Sequence, residues 1–170
     1  MVGAIRAPLV LRMSNPSRIV VGVIADTHGL LRPEAVAALR GSDVIIHAGD
    51  VGDAEILDRL REIAPTFTVR GNIDTSPWAQ ALPLTEVVEV GRAQFYVLHN
   101  LVDLGLDPKA AGFSAVISGH THRPHAQVRN DVLYLNPGSA GPRRFTLPIA
   151  VARIEVNGAH ISHEIIELQI

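Results

Sequence analysis

Seven side chains that are typical metal ligands occur in five short segments of the sequence, and each segment directly follows an apolar run. They are Asp26, His28, Asp50, Asn72, His99, His120 and His122. In Asp26-x-His28 and in His120-x-His122, the two side chains of an extended segment point the same way, so each pair could hold a cation. Mixed imidazole, carboxylate and amide ligation suits manganese, iron, nickel, cobalt or zinc better than calcium.

A pair of such cations would form a hydrolytic centre. Two ions about 3.5–4 Å apart can hold a hydroxide between them and bind both oxygens of an in-line displacement. Water bound to such a metal loses its proton at about pH 7 instead of about pH 16 in bulk. Asp50 stands alone in its loop, and its two oxygens could bridge the two ions. The chain contains no cysteine, and this chemistry needs neither a cysteine nor a serine nucleophile.

The first half of the chain alternates apolar, β-branched runs with amphipathic segments. The predicted elements are strands 18–24, 43–47 and 66–69 and helices 33–39 and 53–63, the second helix capped by Asp53. This β-α-β-α-β order predicts a parallel sheet with right-handed crossovers. Ligands of such sheets bind outside the carboxyl ends of the strands, where the candidate residues lie.

The second half of the chain is predicted to form short strands and hairpins. The predicted hairpins join strands 85–90 and 93–98, 125–129 and 132–135, and 149–156 and 159–166, and a buried strand covers 115–118. Their turns are expected at Gly91-Arg92, Asn130-Asp131 and Asn157-Gly158, and Asn-Gly is the strongest of these hairpin signals. The expected fold class is α/β, with two mixed β-sheets packed face to face and helices outside.

Taken in this order, the segments resemble the calcineurin-like metallophosphoesterase superfamily over nearly the whole chain from Arg18 to Ile166. The pattern is Asp26-x-His28, Gly49-Asp50, Gly71-Asn72, His99 and Gly119-His120-x-His122. The runs IIHAGD (45–50), GHTHRP (119–124) and NPGS (136–139) are similar to the small bacterial and archaeal phosphodiesterase branch. The resemblance implies a four-layer αββα sandwich and a single metallophosphoesterase domain over residues 18–170.

The resemblance also implies residue roles and a cofactor. The first of two divalent ions would be bound by Asp26, His28, Asp50 and His122, and the second by Asp50, Asn72, His99 and His120. Asn72 would also bind the substrate phosphate, and Asp50, Asn72 and His120 form the expected catalytic set. Mn²⁺ is the preferred ion, with Ni, Fe, Co or Zn as alternatives. The implied reaction is hydrolysis of small phosphodiesters by a hydroxide that bridges the metals.

Two positions depart from the family pattern. Many members carry a histidine directly after the Gly-Asn pair, thought to protonate the leaving group, and Ile73 stands there. General acid catalysis contributes about 10²–10⁴-fold, so its loss favours substrates with good leaving groups. Asp74 is a nearby candidate replacement. Leu101 stands where the branch often has a second histidine after His99, which predicts a missing pocket contact.

Composition excludes several classes of function. The net charge of −2 gives no basic surface for stable nucleic-acid binding. No apolar run reaches the roughly 18 residues of a membrane span. The lack of cysteine suits the cytoplasm.

Residues 1–17 are expected to be a flexible tail, with Met13 as an alternative start. A small phosphoester is the expected partner, and a homo-oligomer is left open.

Other interpretations remain beside the enzyme. A scaffold on the same fold, working through surface contacts, is the main alternative, because a eukaryotic membrane-trafficking subunit resembles this branch but has a degraded metal site. Protein phosphatase activity ranks lower, since the chain lacks obvious extra substrate loops. Among single residues, His47 is predicted to support a ligand loop and Trp78 to pack under a loop. The segment 136–139 is expected to form a turn that supports the site.

Overall fold

The computed structural model describes residues 18–170, which form two five-stranded sheets. In chain order the elements are β1 (Ile19–Ile24), α1 (Pro33–Leu39), β2 (Val44–His47), α2 (Ala54–Arg61), β3 (Thr66–Thr68), β4 (Thr85–Val90), β5 (Ala93–Leu98), β6 (Ala115–Ile117), β7 (His125–Arg129), β8 (Val132–Asn136), β9 (Ala150–Asn157) and β10 (His160–Glu167). Two 3₁₀ helices, Pro77–Ala81 and Leu101–Asp103, lie between strands.

The first sheet has the strand order β10-β9-β1-β2-β3. Strands β1, β2 and β3 are parallel, and β9 and β10 join antiparallel at the other side. Both helices contribute to one apolar cluster with the outward face of this sheet, in which Leu39 of α1 and Leu60 of α2 are buried with Ile45 of β2. A Cβ added to Gly22 of β1 would lie 2.7 Å from Leu39 Cδ2, so α1 lies directly on the central strand.

The second sheet has the order β4-β5-β6-β8-β7. Its three inner strands are parallel, and β4 and β7 are antiparallel edge strands. Its outward face carries a smaller cluster that contains Leu98, Val116 and Val132, with Leu101 of the second 3₁₀ helix packed against it. The outer layer on this side is therefore much thinner than the pair of helices on the first sheet.

The main core lies between the two sheets. Val21 and Val23 of β1 and Ile154 of β9 are buried there with Phe95 of β5 and Ile117 of β6. Val21 and Val23 alternate with Gly22, which faces α1, so β1 is buried on both faces. This explains why its sequence is a continuous apolar run instead of an alternating one.

The predicted fold class of two mixed sheets face to face with helices outside is confirmed. Helix α2 ends at Arg61 instead of residue 63, because the N–H groups of Ile63 and Ala64 both turn back to the carbonyl of Leu60. Predictions for residues 1–17 lie outside the described part of the chain. Within residues 18–170, no helix is long and apolar enough to cross a membrane.

One hairpin turn is displaced from its prediction. Asn157 pairs with His160, so the turn between β9 and β10 is Gly158-Ala159 and not Asn157-Gly158. Gly158 has φ +66° at the first turn position, which is where a type II′ turn requires glycine. The Asn130-Asp131 turn is confirmed, and both residues have positive φ, as a type I′ turn needs.

Candidate metal centre

All seven predicted ligand side chains meet at the carboxyl ends of five strands. Asp26 and His28 follow β1, Asp50 follows β2, and Asn72 follows β3; the other three follow β5 and β6. Short distances join them in one continuous series: Asp26, His122, His28, Asp50, His99, Asn72 and His120. Residues that lie up to 96 positions apart in the sequence therefore occupy one site.

The first part of the site is a buried trio. Asp26 Oδ1 lies 3.3 Å from His122 Nε2 and 3.8 Å from His28 Nε2. The two imidazole nitrogens are 3.1 Å apart. Asp26 and His122 are almost completely buried, whereas His28 is partly exposed. Three donor atoms thus converge on one point at the base of the site.

Asp50 connects this trio to the second part of the site. Its Oδ2 lies 3.5 Å from His28 Nε2, and its Oδ1 lies 3.3 Å from His99 Nε2. The two oxygens of one carboxylate therefore face different histidines, an arrangement that suits a bridging ligand. The backbone N–H of Ile73 also donates to Oδ1 at 3.0 Å and fixes the carboxylate plane.

The second part of the site is more open. Asn72 Oδ1 lies 3.0 Å from His99 Nε2 and 3.1 Å from His120 Nδ1. Asn72 and His120 are exposed, whereas His99 is buried. The amide and the second imidazole therefore lie at the mouth of the site, where a ligand arriving from solvent would meet them.

The donor atoms fit a divalent cation. Asp26 Oδ1 is buried and has no hydrogen-bond partner among residues 18–170, and a buried polar atom without a partner is costly. Between the Nε2 atoms of His28 and His122, one hydrogen at most can be shared, so at least one lone pair faces inward. A cation between these atoms would satisfy the carboxylate oxygen and both lone pairs.

His99 is held in the orientation that suits a ligand. Its Nδ1–H donates to the carbonyl of Ala48 at 2.8 Å, so Nε2 is the nitrogen that faces Asp50 and Asn72 and that would bind a cation in place of its proton. Metal-binding histidines commonly use their second nitrogen in this way to fix ring orientation. His99 is therefore set for ligation by the backbone at the end of β2.

An unusual backbone conformation is common among the predicted ligands. Among residues 18–170, eight non-glycine residues have positive φ, and five of them are predicted ligands. These five are Asp26 (53°), His28 (46°), Asp50 (55°), His120 (70°) and His122 (59°). Such conformations cost about 1–3 kcal/mol each and persist where the surrounding structure imposes them, often at functional sites. The backbone of these loops is therefore strained at the residues whose side chains meet in the site.

Two glycines let these loops approach each other. A Cβ on Gly71 would lie 2.1 Å from the backbone nitrogen of Asp50, and a Cβ on Gly119 would lie 2.7 Å from Asp26 Oδ2. The first contact is with backbone, and the second is with a buried carboxylate oxygen that already accepts the N–H of His120 at 3.0 Å. The glycines of the sequence pattern are therefore required by packing between ligand loops.

His47 joins two ligand loops from beneath, which confirms its predicted supporting position. Its Nδ1 accepts the N–H of Gly49 at 3.2 Å, so the proton is on Nε2, which donates to Thr27 Oγ1 at 2.9 Å. Thr27 in turn donates to the carbonyl of Val51 at 2.8 Å. Burial lowers the pKa of His47 to about 4, against the opposing effect of Asp74, so the ring is neutral near pH 7.

Asp74 supports the loops and is not placed as a leaving-group acid. It is 3% exposed, and its carboxylate accepts the backbone N–H groups of Gly71, Val51 and Gly52 at 2.8, 3.2 and 2.9 Å. These partners belong to the loops after β3 and β2. The suggested replacement for the absent histidine is therefore wrong, because a carboxylate committed to three backbone donors is not free to face substrate.

The segment 136–139 supports the loops after β1 and β6, as predicted. Asn136 Nδ2 donates to the carbonyl of Gly119 at 2.7 Å and to Thr121 Oγ1 at 3.0 Å. Ser139 Oγ donates to the carbonyl of Asp26 at 2.8 Å. Trp78 packs against the cluster under the helices, which confirms its predicted role.

Sequence reasoning missed the supporting roles of Thr27 and Asp74. Thr27 lies between two predicted ligands, and its position directly after an apolar run was the available signal, because a polar residue at the end of a buried strand needs a partner. Asp74 follows the Gly-Asn pair closely enough to suggest a role, but its three partners could not be read from the sequence. Leu101 packs against the outer apolar cluster and has no place among the ligands.

The charges of the central groups depend on one another. Burial lowers the pKa of His28, although Asp50 and Asp26 oppose the shift. Burial would also lower the pKa of His99, but the hydrogen bonds to Asp50 and to Ala48 are stronger and raise it. For Asp50, burial works against ionisation, yet the hydrogen bonds from His99 and Ile73 hold its pKa below the usual value. The carboxylate is therefore ionised near neutral pH and able to bind a cation.

Comparison with solved structures supports the fold. An archaeal protein described as a novel phosphodiesterase aligns with 87% of this chain and 100% of its own, with a TM-score of 0.72 and 21% identity. Vacuolar protein sorting 29 of Cryptosporidium parvum aligns with 89% of this chain and 92% of its own, with a TM-score of 0.76 and 20% identity. At these identities the comparison establishes the shared αββα architecture.

Sequence comparison establishes the family. A probable metallophosphoesterase of Methanocaldococcus jannaschii is 40% identical over 132 residues, which cover 70% of this chain and 67% of that protein. The phosphodiesterase YfcE of Escherichia coli is 27% identical over 145 residues, covering 68% and 76%. The profile of the calcineurin-like phosphoesterase superfamily domain matches residues 19–159. The chain therefore belongs to the calcineurin-like phosphoesterase superfamily.

Proposed function

We propose that the protein is a metal-dependent phosphodiesterase that hydrolyses small phosphodiesters at a dinuclear site. The observation that carries the proposal is the continuous series of seven donor residues, in which the buried Asp26 Oδ1 has no hydrogen-bond partner among residues 18–170. Relatives named as phosphodiesterases support the choice of reaction. The cytoplasm is the proposed compartment, because a chain without cysteine needs no oxidising environment.

The ligands are assigned to two divalent ions, with Mn²⁺ as the first candidate and Ni, Fe, Co or Zn as alternatives. The first ion is assigned to Asp26, His28, Asp50 and His122, and the second to Asp50, Asn72, His99 and His120. Bound ions of this kind supply a nucleophile derived from water at neutral pH and neutralise developing charge on the phosphate. The position of Asp50 between His28 and His99 supports its assignment to both ions.

Asn72 and His120 are proposed to contact the substrate. Both are exposed at the mouth of the site, and the Asn72 amide could donate to a phosphate oxygen while its Oδ1 faces the histidines. Of the other predicted ligands, Asp26, Asp50, His99 and His122 are buried. Asn72 is therefore proposed to orient the phosphate, and the imidazole of His120 lies next to the Asn72 amide oxygen, 3.1 Å from it.

Ile73 shapes the choice of substrate. Its side chain is 39% exposed and carries no proton donor, and Asp74 is committed to backbone groups. The departing oxygen must then leave without a proton from these two side chains. We expect diesters with acidic leaving groups, such as nitrophenols, to react much faster than dialkyl diesters.

The test is hydrolysis of bis(p-nitrophenyl) phosphate by metal-free protein to which Mn²⁺ or Ni²⁺ is returned. Asp50→Ala removes the ligand shared by both ions and should lower kcat/KM by about a thousandfold or more, with loss of bound metal. Asp58→Ala is the matched control, since Asp58 is an exposed carboxylate paired with Arg61 on α2. Full activity of Asp50→Ala, or no turnover with any of the candidate metals, would refute the proposal.

The alternative is a non-catalytic scaffold on the same fold. It is favoured by the exposed apolar side chains of Leu30 and Ile73, each 39% exposed and each close in sequence to ligands. Retention of all seven donor residues argues against it, because surface binding does not require them. Elemental analysis of protein purified near neutral pH separates the two: a site without metal would favour the scaffold, and about two ions per chain would favour the enzyme.

A further inference from the structure

A cavity of about 430 Å³ opens beside the second part of the metal centre. Its walls include three of the ligands, Asn72, His99 and His120, so a group held at the ligands would have direct access to it. The remaining walls are Arg70, Gly71, Leu84, Thr85, Leu98, Asn100 and Asp103. We call it the side cavity. Its volume lies in the range of small-molecule sites, about 300–1,000 Å³.

The apolar part of the side cavity is formed by Leu84 and Leu98. Leu98 is buried at the end of β5, but Leu84, directly before β4, is 63% exposed. A ligand that covers Leu84 would remove apolar surface from water, which is favourable. This wall therefore favours binding of an apolar or aromatic group and offers no hydrogen bond to a strongly hydrated group.

The charged groups at the side cavity balance each other. Arg70 supplies one positive charge and Asp103 one negative charge. The guanidinium of Arg70 is held by Gln80, with Nη1 donating to Oε1 at 2.7 Å, and its backbone N–H donates to the carbonyl of Pro83 at 2.8 Å. A second phosphate would meet Asp103 as well as Arg70. The side cavity is thus matched to a neutral group with polar edges.

We propose that the side cavity binds a neutral aromatic ester group of the substrate while the phosphate lies at Asn72 and His120. Simple aryl esters and nucleoside esters share this chemistry, since a nucleobase is a neutral ring with polar edges. The inference rests on the proposed phosphodiesterase function. Leu84 is then a specificity-determining residue, because its side chain is the exposed apolar wall on which the ring lies.

The test is calorimetric binding of phenylphosphonate and methylphosphonate to the manganese-loaded protein. Both probes present the same charged group to the ligands and differ in the ring. We expect wild type to bind phenylphosphonate about tenfold more tightly, a difference of about 1.4 kcal/mol. Leu84→Ser should lose most of this ratio and leave methylphosphonate binding unchanged. Equal binding of the two probes by wild type would overturn the inference.

Two further variants locate the ring. Val128→Ser, an exposed apolar residue on edge strand β7 outside the side cavity, should keep the tenfold ratio. Phe145 is 93% exposed and offers a rival aromatic contact. If Phe145→Ala loses the ratio and Leu84→Ser keeps it, the ring does not lie in the side cavity and the inference is wrong.

A second pair of probes separates the two sources of the ring. Uridine 5′-monophosphate and ribose 5-phosphate differ in the base. Tighter binding of the uridine compound, lost in Leu84→Ser, assigns the side cavity to nucleoside esters; equal binding, with the phenyl preference intact, assigns it to simple aryl esters. Turnover of bis(p-nitrophenyl) phosphate is measured in parallel. Turnover without aryl preference refutes this inference alone, whereas aryl preference without turnover refutes the proposed function alone.

Discussion

His47 should make the stability of the metal-free protein depend on pH in a defined window. The ring is completely buried, neutral, and hydrogen-bonded at both nitrogens, to Gly49 and to Thr27. Protonation would place a charge in the core and a second N–H against the Gly49 donor. Burial is the largest cause that lowers its pKa to about 4 from 6.5.

The direction follows from proton binding in the two states. Above pH 6.5 the imidazole is neutral in both the folded and unfolded chains, and His47 gives no pH dependence. As the pH falls below 6.5, His47 of the unfolded chain becomes protonated, whereas His47 of the folded chain stays neutral until about pH 4. The free energy of unfolding therefore decreases as the pH falls through this range. At about 1.36 kcal/mol per pH unit, the loss by pH 4 is about 3 kcal/mol.

Urea unfolding of the metal-free protein between pH 7 and pH 4 measures this loss. His47→Asn keeps an acceptor near Gly49 but cannot titrate, so the other ionisable groups cancel in the difference from wild type. Between pH 7 and pH 4, the free energy of unfolding should decrease by about 3 kcal/mol more for wild type than for the variant. His163→Asn, on the exposed side of β10, is the control and should follow wild type. Parallel profiles for wild type and His47→Asn would refute the account of a buried neutral ring.

Three further changes test the supporting residues. Gly71→Ala should separate the loops after β2 and β3, because the new Cβ would lie 2.1 Å from the Asp50 nitrogen; weaker Mn²⁺ binding by calorimetry is expected, and unchanged binding would contradict it. Asp74→Asn should lower metal affinity about 10–100-fold, since an amide presents a donor to backbone donors; unchanged affinity would show that the carboxylate is dispensable. Ile73→His should raise kcat for alkyl leaving groups by about tenfold or more while nitrophenyl diesters change little, and equal effects on both would exclude acid catalysis from this position.

Much of the fold was readable from local patterns. The β-branched run before Asp26 predicted β1, and the Asn130-Asp131 pair predicted the turn between β7 and β8 with the right residues. What local pattern could not give is strand order. The parallel pairing of β6 with β8, for example, skips β7, which lies between them in the sequence. The turn at Gly158-Ala159 differed by one residue because register follows the pairing of the whole strand.

The gathering of the site residues was predictable because all seven follow strands whose carboxyl ends meet at one edge. The supporting contacts were not. Asp74 accepts hydrogen bonds from backbone N–H groups about twenty residues away, in the loop after β2. Every residue except proline has such a donor, so residue types do not reveal the partner. The positive φ values of Asp26 and Asp50 could not be predicted either, because aspartate tolerates this conformation but only the packing of the loops selects it.

Anomalous diffraction from crystals of the manganese-loaded protein tests the central assignment most directly. Two peaks about 3.5–4 Å apart are predicted. One should lie within bonding distance of Asp26, His28, Asp50 and His122, and the other within bonding distance of Asp50, Asn72, His99 and His120. A single peak that Asp50 does not touch, or manganese bound away from these residues, would contradict the dinuclear account.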